Sequence, residues 1–148
     1  MRALLQRVSR AGVSVEGQKR VTIGQGLVIL LGITHGDTSG DVTYLVNKAV
    51  DLRIFNDNNG KMNFSLRDVG GAALIVSQFT LYGDARKGRR PNYTEAARPE
   101  TAKALYEAFV DAFREQGISV ETGEFGANMS VEIVNDGPVT ITLESPAS

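Results

Sequence analysis

The sequence has no cysteine, no tryptophan and a single histidine, His35. Without cysteine there is no disulfide, no thiolate nucleophile and no cysteine-ligated zinc. A zinc site that lacks cysteine draws on two or three histidines, so one histidine argues against a zinc centre. Any Ser-His-Asp triad would have to pass through His35. Long hydrophobic runs are missing too. The longest, Leu27 to Ile33, is broken by Gly32 and falls short of the roughly 18 residues a membrane span requires. The opening Met1-Arg2-Ala3-Leu4-Leu5-Gln6-Arg7 carries charge where a secretory signal needs a continuous apolar stretch, so the expected compartment is the cytoplasm. Net charge is -1, which gives no global mark of nucleic-acid binding.

What is present fits one ordinary domain over residues 1–148. At 42% hydrophobic and 22% charged, the chain can bury a core and is not intrinsically disordered. The charge is unevenly placed. Residues 1–20 hold five Lys/Arg against one acid, residues 21–106 ten against eight, and residues 107–148 one against eight. Basic side chains are densest at Arg86, Lys87, Arg89 and Arg90, followed by Tyr93 and Arg98. Such a cluster either meets a phosphate backbone locally or is a solvated loop.

Periodicity divides the chain into strands, helix, strand, helix, strands. Arg2 to Ser9 alternates loosely, Val13-Ser14-Val15 continues the period, and Glu16-Gly17-Gln18-Lys19 turns it back into Val21-Thr22-Ile23. Leu27-Val28-Ile29-Leu30-Leu31 predicts a strand buried on both faces. Val42, Leu45, Val46, Ala49 and Leu52 mark one helix face, behind a polar loop rich in capping residues. Arg53-Ile54-Phe55 predicts a short strand, Asn56 to Gly60 a turn, and Ala72 to Phe79 a second apolar strand. Gly83 to Arg98 reads as a long surface loop. Pro99 opens a helix with Ala102, Leu105, Tyr106, Phe109 and Phe113 on its apolar side, and Gly117 ends it. Strands follow at 118–121, 128–134 and 139–143, with Asp136-Gly137-Pro138 between the last two and Pro146-Ala147-Ser148 as a tail. This order predicts an α+β fold, two helices packed on a mixed or largely antiparallel sheet.

Few familiar catalytic patterns survive inspection. No glycine motif precedes a helix in the way phosphate loops require. The carboxylates are scattered and none lies in an apolar run, so paired-carboxylate chemistry has no anchor. His35, in a Gly/Thr/Asp-rich loop, reads as a surface or capping residue rather than a general base. Two segments stand out. Ser77-Gln78-Phe79-Thr80-Leu81 brings hydroxyls and an amide to a strand end just before the basic loop; read as strand, Ser77 and Phe79 face one side, Gln78 and Thr80 the other. Asn135-Asp136-Gly137-Pro138-Val139-Thr140 sets a proline among strands, where it must occupy an edge, a bulge or a tight turn.

These two segments together resemble the D-aminoacyl-tRNA deacylases. Leu5-Gln6-Arg7-Val8, Arg53-Ile54-Phe55 with Gly60-Lys61-Met62-Asn63, and Gly123 through Met129 extend the likeness over residues 1–145. The resemblance implies a homodimeric, barrel-like domain without metal or cofactor. Its expected reaction is hydrolysis of the ester joining a D-amino acid, or glycine, to the 3′ end of tRNA. Two sites at the subunit interface are implied, each facing the Gly137-Pro138 turn of the other copy in cis, whose carbonyls exclude an L side chain. Ser77, Gln78, Phe79 and Thr80 would wall the pocket, Met129 and Ala102 narrow it, and Arg7 and Asn135 support the turn. Main-chain N–H groups near Phe79 and Thr80 would bind the oxyanion, with a ribose 2′-hydroxyl assisting. Thr80 is the one side chain kept as a nucleophile or water-positioning group. Arg86, Lys87, Arg89 and Arg90 would meet acceptor-stem phosphates. Two other readings stay open: a conventional hydrolase using Thr80 with His35, and a non-catalytic RNA-binding module.

Overall fold

The chain opens on one long strand, β1 (Arg2–Val15), along which the loose alternation of Arg2 to Ser9 is continued by Val13-Ser14-Val15. Ala3 and Leu5 pack in the hydrophobic cluster under the helices, whereas Ala11 and Val13 pack in a second cluster on the other face of the sheet. Strand side chains alternate with period two, so odd positions change face only where the register slips. The pairing of β1 with the final strand, β8 (Met129–Glu144), slips between Gln6 and Val8 and again between Val8 and Arg10. That irregularity is what makes the alternation read loosely. The computed structural model describes residues 1–146, so the last two residues of the predicted tail lie outside the described residues.

Around β1 the sheet assembles in the order β2-β1-β3-β6-β7, with β8 also on β1. Here β2 is Val21–Ile23, β3 Gly26–Gly32, β6 Ala72–Ser77 and β7 Val120–Thr122. The first three pairs with β1 are antiparallel; β3 with β6, and β6 with β7, are parallel. Parallel neighbours need a crossover. Helix α1 (Ser39–Asp51) lies on the first and α3 (Pro99–Glu115) on the second, and the two helices pack together over one face. β2 also approaches β6 and β7, so the sheet curls into a nearly closed barrel. The fold is α+β, in one domain.

The burial explains the sequence pattern. Leu27, Ile29 and Leu31 belong to the helix-side cluster and Val28 to the opposite one, so β3 is covered on both faces. Phe109 and Phe113 on α3 are wholly inaccessible, each contributing roughly 2–3 kcal/mol of apolar burial. Thr38 caps α1 in a reciprocal box with Asp41, Pro99 opens α3, and Gly117 follows its end at φ 82°.

Four expectations need correction. A third, four-residue helix, α2 (Leu66–Val69), follows the Ser65 cap and is too short to show a period. The strand expected at residues 53–55 begins only at Phe55: β4 (Phe55–Asn56) pairs with β5 (Met62–Phe64) as a separate hairpin. β6 stops at Ser77, because β3, its ladder partner, ends beside it; Phe79–Tyr82 winds into a 3-10 turn instead of continuing the alternation. Residues 136–138 do not reverse the chain between two strands. Both flanks pair with the same strand in the same direction, so β8 is continuous and the proline sits in a bulge on an edge strand. No helix among the described residues is long and apolar enough to cross a membrane.

Candidate active site

The β3–β6 ladder finishes at Leu31 and Ser77, one residue before β3 itself ends, and one further bond, from the Gln78 N–H to the Leu31 carbonyl at 2.8 Å, holds the chain as it leaves the sheet. The first amides of a helical turn have no carbonyl behind them. Accordingly, the main-chain N–H groups of Phe79 and Thr80 have no backbone acceptor among the described residues. A cavity of about 670 Å³ opens at this strand end. Ser77, Gln78 and Phe79 lie on its lining with Ala102 and Met129, and apolar Leu31, Ile33, Val76 and Phe125 make up much of the rest. Arg98 is the only charged side chain there among the described residues. Chemically this is a pocket for a small, largely apolar group with hydroxyl and amide contacts, and its lining carries no carboxylate, histidine or lysine.

Thr80 is not on that lining; its hydroxyl is exposed and accepts a hydrogen bond from the Gln78 side-chain amide. His35 faces another cleft, of about 870 Å³, shared with Arg2, Asp37, Tyr82, Asp84 and Arg86. Its Nε2 lies 2.7 Å from the Thr94 carbonyl, an acceptor, so that nitrogen carries a proton. His35 is therefore not on the lining of the cavity it would have to serve. Tyr82, at the end of the 3-10 turn, is buried with its hydroxyl unpartnered among the described residues, and burial pushes its pKa up. Among the described residues no three acidic or histidine side chains converge as a metal-ligand set.

The Gly137-Pro138 bond is cis, and Gly137 has φ 140°. While β1 advances from Gln6 to Val8, β8 runs from Thr140 to Asn135, so Arg7 alone stands opposite the bulge. Arg7 is 7% exposed. Its Nε donates to the Asp136 carbonyl at 2.9 Å, and Nη1 to the Ile54 carbonyl at 2.9 Å and Asn56 Oδ1 at 3.3 Å. Asn135 closes the other side: its Oδ1 accepts from the Val139 N–H at 2.7 Å and its amide donates to Thr140 Oγ1 at 3.0 Å. Gly137 and Pro138 themselves are exposed and do not line the cavity. Met129, which does, is separated from Pro138 by about 30 Å of extended chain.

The basic loop is closed by a bridge between Asp84 and Asn92, with N–H to carbonyl distances of 2.7 and 2.8 Å. Arg86 turns back onto Asp84 through Nε at 2.9 Å and Nη2 at 2.8 Å. Lys87, Arg89 and Arg90 make no ion pair among the described residues. The Arg86 guanidinium holds the Asp84 carboxyl down at about 2. With the folded pKa depressed, the pair's contribution is full above the ordinary value of 3.8 and is lost only as pH falls through about 2. A carboxyl-carbon NMR titration should place the Asp84 midpoint near 2, and Arg86→Gln should return it toward 3.8.

Of the residues expected in the pocket, the structure brings Ser77, Gln78, Phe79, Ala102 and Met129 into one cavity and leaves Thr80 off its lining; it gathers Arg7 and Asn135 around Gly137 and Pro138, and in the single chain those two groups stand apart. Sequence reasoning missed the wall formed by Ala96, Ala97 and Phe125 to Asn128, and named Arg98 only as part of the basic cluster. Small, aperiodic residues there gave no signal beyond the resemblance at residues 123–129.

The family model described as D-Tyr-tRNA(Tyr) deacylase matches residues 4–144. The D-aminoacyl-tRNA deacylase of Clostridioides difficile (strain 630) is 56% identical over 148 residues, covering 100% of this chain and 99% of that protein. That of Thermus aquaticus is 59% identical over 145 residues, covering 98% and 95%. A solved structure described as "c-Myc DNA Unwinding Element Binding Protein" superposes with TM-score 0.92 at 42% identity, covering 99% of this chain and 100% of that one. A match that runs through the cavity, the bulge and the basic loop alike leaves one assignment: the chain belongs to the D-aminoacyl-tRNA deacylase family of hydrolases.

Proposed function

We propose that this protein hydrolyses the ester between a D-amino acid, or glycine, and the 3′-terminal ribose of tRNA, and leaves L-aminoacyl esters intact. The observation that carries this reading is a cavity with hydroxyl and amide side chains, the free main-chain N–H of Phe79 on its lining and that of Thr80 next in the chain, but no carboxylate, histidine or lysine. Such a pocket catalyses by holding an ester and water in reactive geometry while the Phe79 and Thr80 amides take the developing oxyanion. Water adds to the ester carbon, the bond to the ribose oxygen breaks, and the proton passes to that oxygen. The neighbouring ribose 2′-hydroxyl, supplied by the substrate, relays that proton, accepting it from the attacking water as it gives its own to the leaving oxygen.

A second copy of the chain completes the site. The outer edge of β8 bears no partner strand among the described residues. On that strand Gly137 and Pro138 stand exposed with rigid support beneath them, away from the cavity of their own chain. Brought to the partner's cavity, their carbonyls would collide with an L side chain and admit the hydrogen of a D residue. Glycine would pass too. Lys87, Arg89 and Arg90 would meet the tRNA phosphates, with Arg86 fixing the loop. The site so described calls for no metal or cofactor, and the reaction belongs in the cytoplasm with its tRNA.

Single-turnover cleavage of D-aminoacyl-, glycyl- and L-aminoacyl-tRNA tests this reading. D- and glycyl-tRNA should be discharged and L-aminoacyl-tRNA spared, and a 2′-deoxy terminal ribose should bind without cleavage. Loss of cleavage on His35→Ala would restore the conventional hydrolase, and tight binding with no cleavage of any ester would leave a binding module.

A further inference from the structure

Phe79 and Tyr93 stay in water, 59% and 41% exposed, though both are large hydrophobic side chains. They are adjacent: their ring centroids are 5.2 Å apart with planes at 70°. Tyr93 lies against the backbone of Gly83, where an added Cβ would come within 3.0 Å of the ring, so a glycine is what lets it settle there. Gly83 and Tyr93 flank the Asp84–Asn92 bridge. The ring pair therefore stands at the base of the basic loop, and Lys87, Arg89 and Arg90 lie beyond the bridge. Both rings also reach the lining of the cavity. The sequence of features outward is cavity, two exposed rings, three unpaired cations.

That combination matches unpaired RNA. Aromatic faces take bases of any identity by stacking, and neighbouring cations follow the phosphates. An apolar protein partner would leave the three cations desolvated and unpaired. We propose that Phe79 and Tyr93 are the stacking platform for the unpaired nucleotide just upstream of the 3′-terminal one, with Lys87, Arg89 and Arg90 holding the phosphates that follow. This rests on the proposed function and adds a direction to it: the 3′ end enters the cavity and the strand leaves past the rings toward the loop. Tyr93 acts here as a positioning residue.

The test compares two substrates, D-aminoacyl-tRNA and D-aminoacyl-adenosine, which has no upstream nucleotide. Tyr93→Leu should raise KM for the tRNA about tenfold with kcat held, in line with the cost of one lost stacked base. Tyr93 also lines the cavity, so the KM of the adenosine ester, which has no upstream base to unstack, should rise by less than about threefold, and Tyr93→Trp should restore the tRNA KM. Replacing Lys87, Arg89 and Arg90 together with alanine should raise the tRNA KM and flatten its salt dependence. Equal changes for both substrates, or none for either, would overturn the platform. Should the wild type cleave neither substrate, the function fails while the platform is still read by fluorescence anisotropy. There, Tyr93→Leu should weaken binding of a short single-stranded RNA about tenfold, and unchanged binding would overturn it.

Discussion

Arg7→Met should lower the unfolding free energy by about 3 kcal/mol, seen as a fall in the urea midpoint with an unchanged slope. Methionine keeps the apolar stem as far as the Nε position, so the loss reports on the guanidinium head, its hydrogen bonds and its 3.8 Å ion pair with the Asp136 carboxylate. The guanidinium serves three acceptors at once: the carbonyls of Asp136 and Ile54 and the side chain of Asn56. Asp136 and Asn56 are exposed and can turn to water, but Ile54 is buried, and its carbonyl loses the partner that Nη1 supplied. An orphaned buried acceptor costs roughly 1–3 kcal/mol, and each bond to a charged donor adds a comparable amount, offset where water substitutes. Arg7→Lys should not rescue, because one ammonium cannot donate along the Nε and Nη1 directions together. Wild-type stability in either variant would mean that Asn135 and the backbone hold the bulge in β8 without Arg7.

The same neighbourhood shows where sequence reading succeeds and where it stops. Leu27 to Leu31 carry their own evidence: an unbroken apolar run in a chain of this composition has to be covered on both sides. Pro99 and Gly117 mark α3 because each acts on its own backbone. Pro138, by contrast, reads locally as the end of a strand, and only the long-range pairing of β1 with both flanks makes β8 continuous. Non-local ladders override local propensity. Phe79 is likewise a good strand residue; what ends β6 is that its neighbour β3 has run out, which nothing near Phe79 records. The site follows the same rule. Residues 77–79 were legible as a motif, but the wall at residues 125–128 is placed by the connection between β7 and β8. Tyr93 was visible beside the cations, yet no local pattern puts Phe79 against it.

Gly137→Ala should reduce cleavage of D-aminoacyl-tRNA by at least about 100-fold, since displacement of a catalytic wall by some 1 Å costs that much. At φ 140° an L side chain is rarely tolerated. A Cβ would lie 2.8 Å from Val139 Cγ2, 2.9 Å from the Val139 nitrogen and 3.2 Å from Arg7 Nη2. None of these can give way easily. Val139 is 9% exposed, its N–H is bonded to Asn135, and Arg7 is fixed by the contacts already described. The turn itself must therefore move. Because Gly137 and Pro138 are exposed in the single chain, the fold should lose only about 1–3 kcal/mol, a typical cost of local backbone strain. Circular dichroism and urea melts on the variant would establish that it still folds, leaving kcat as the readout. A folded Gly137→Ala protein that discharges D-aminoacyl-tRNA at the wild-type rate would place the turn outside the site, and the selection between mirror-image substrates would have to come from the cavity of a single chain.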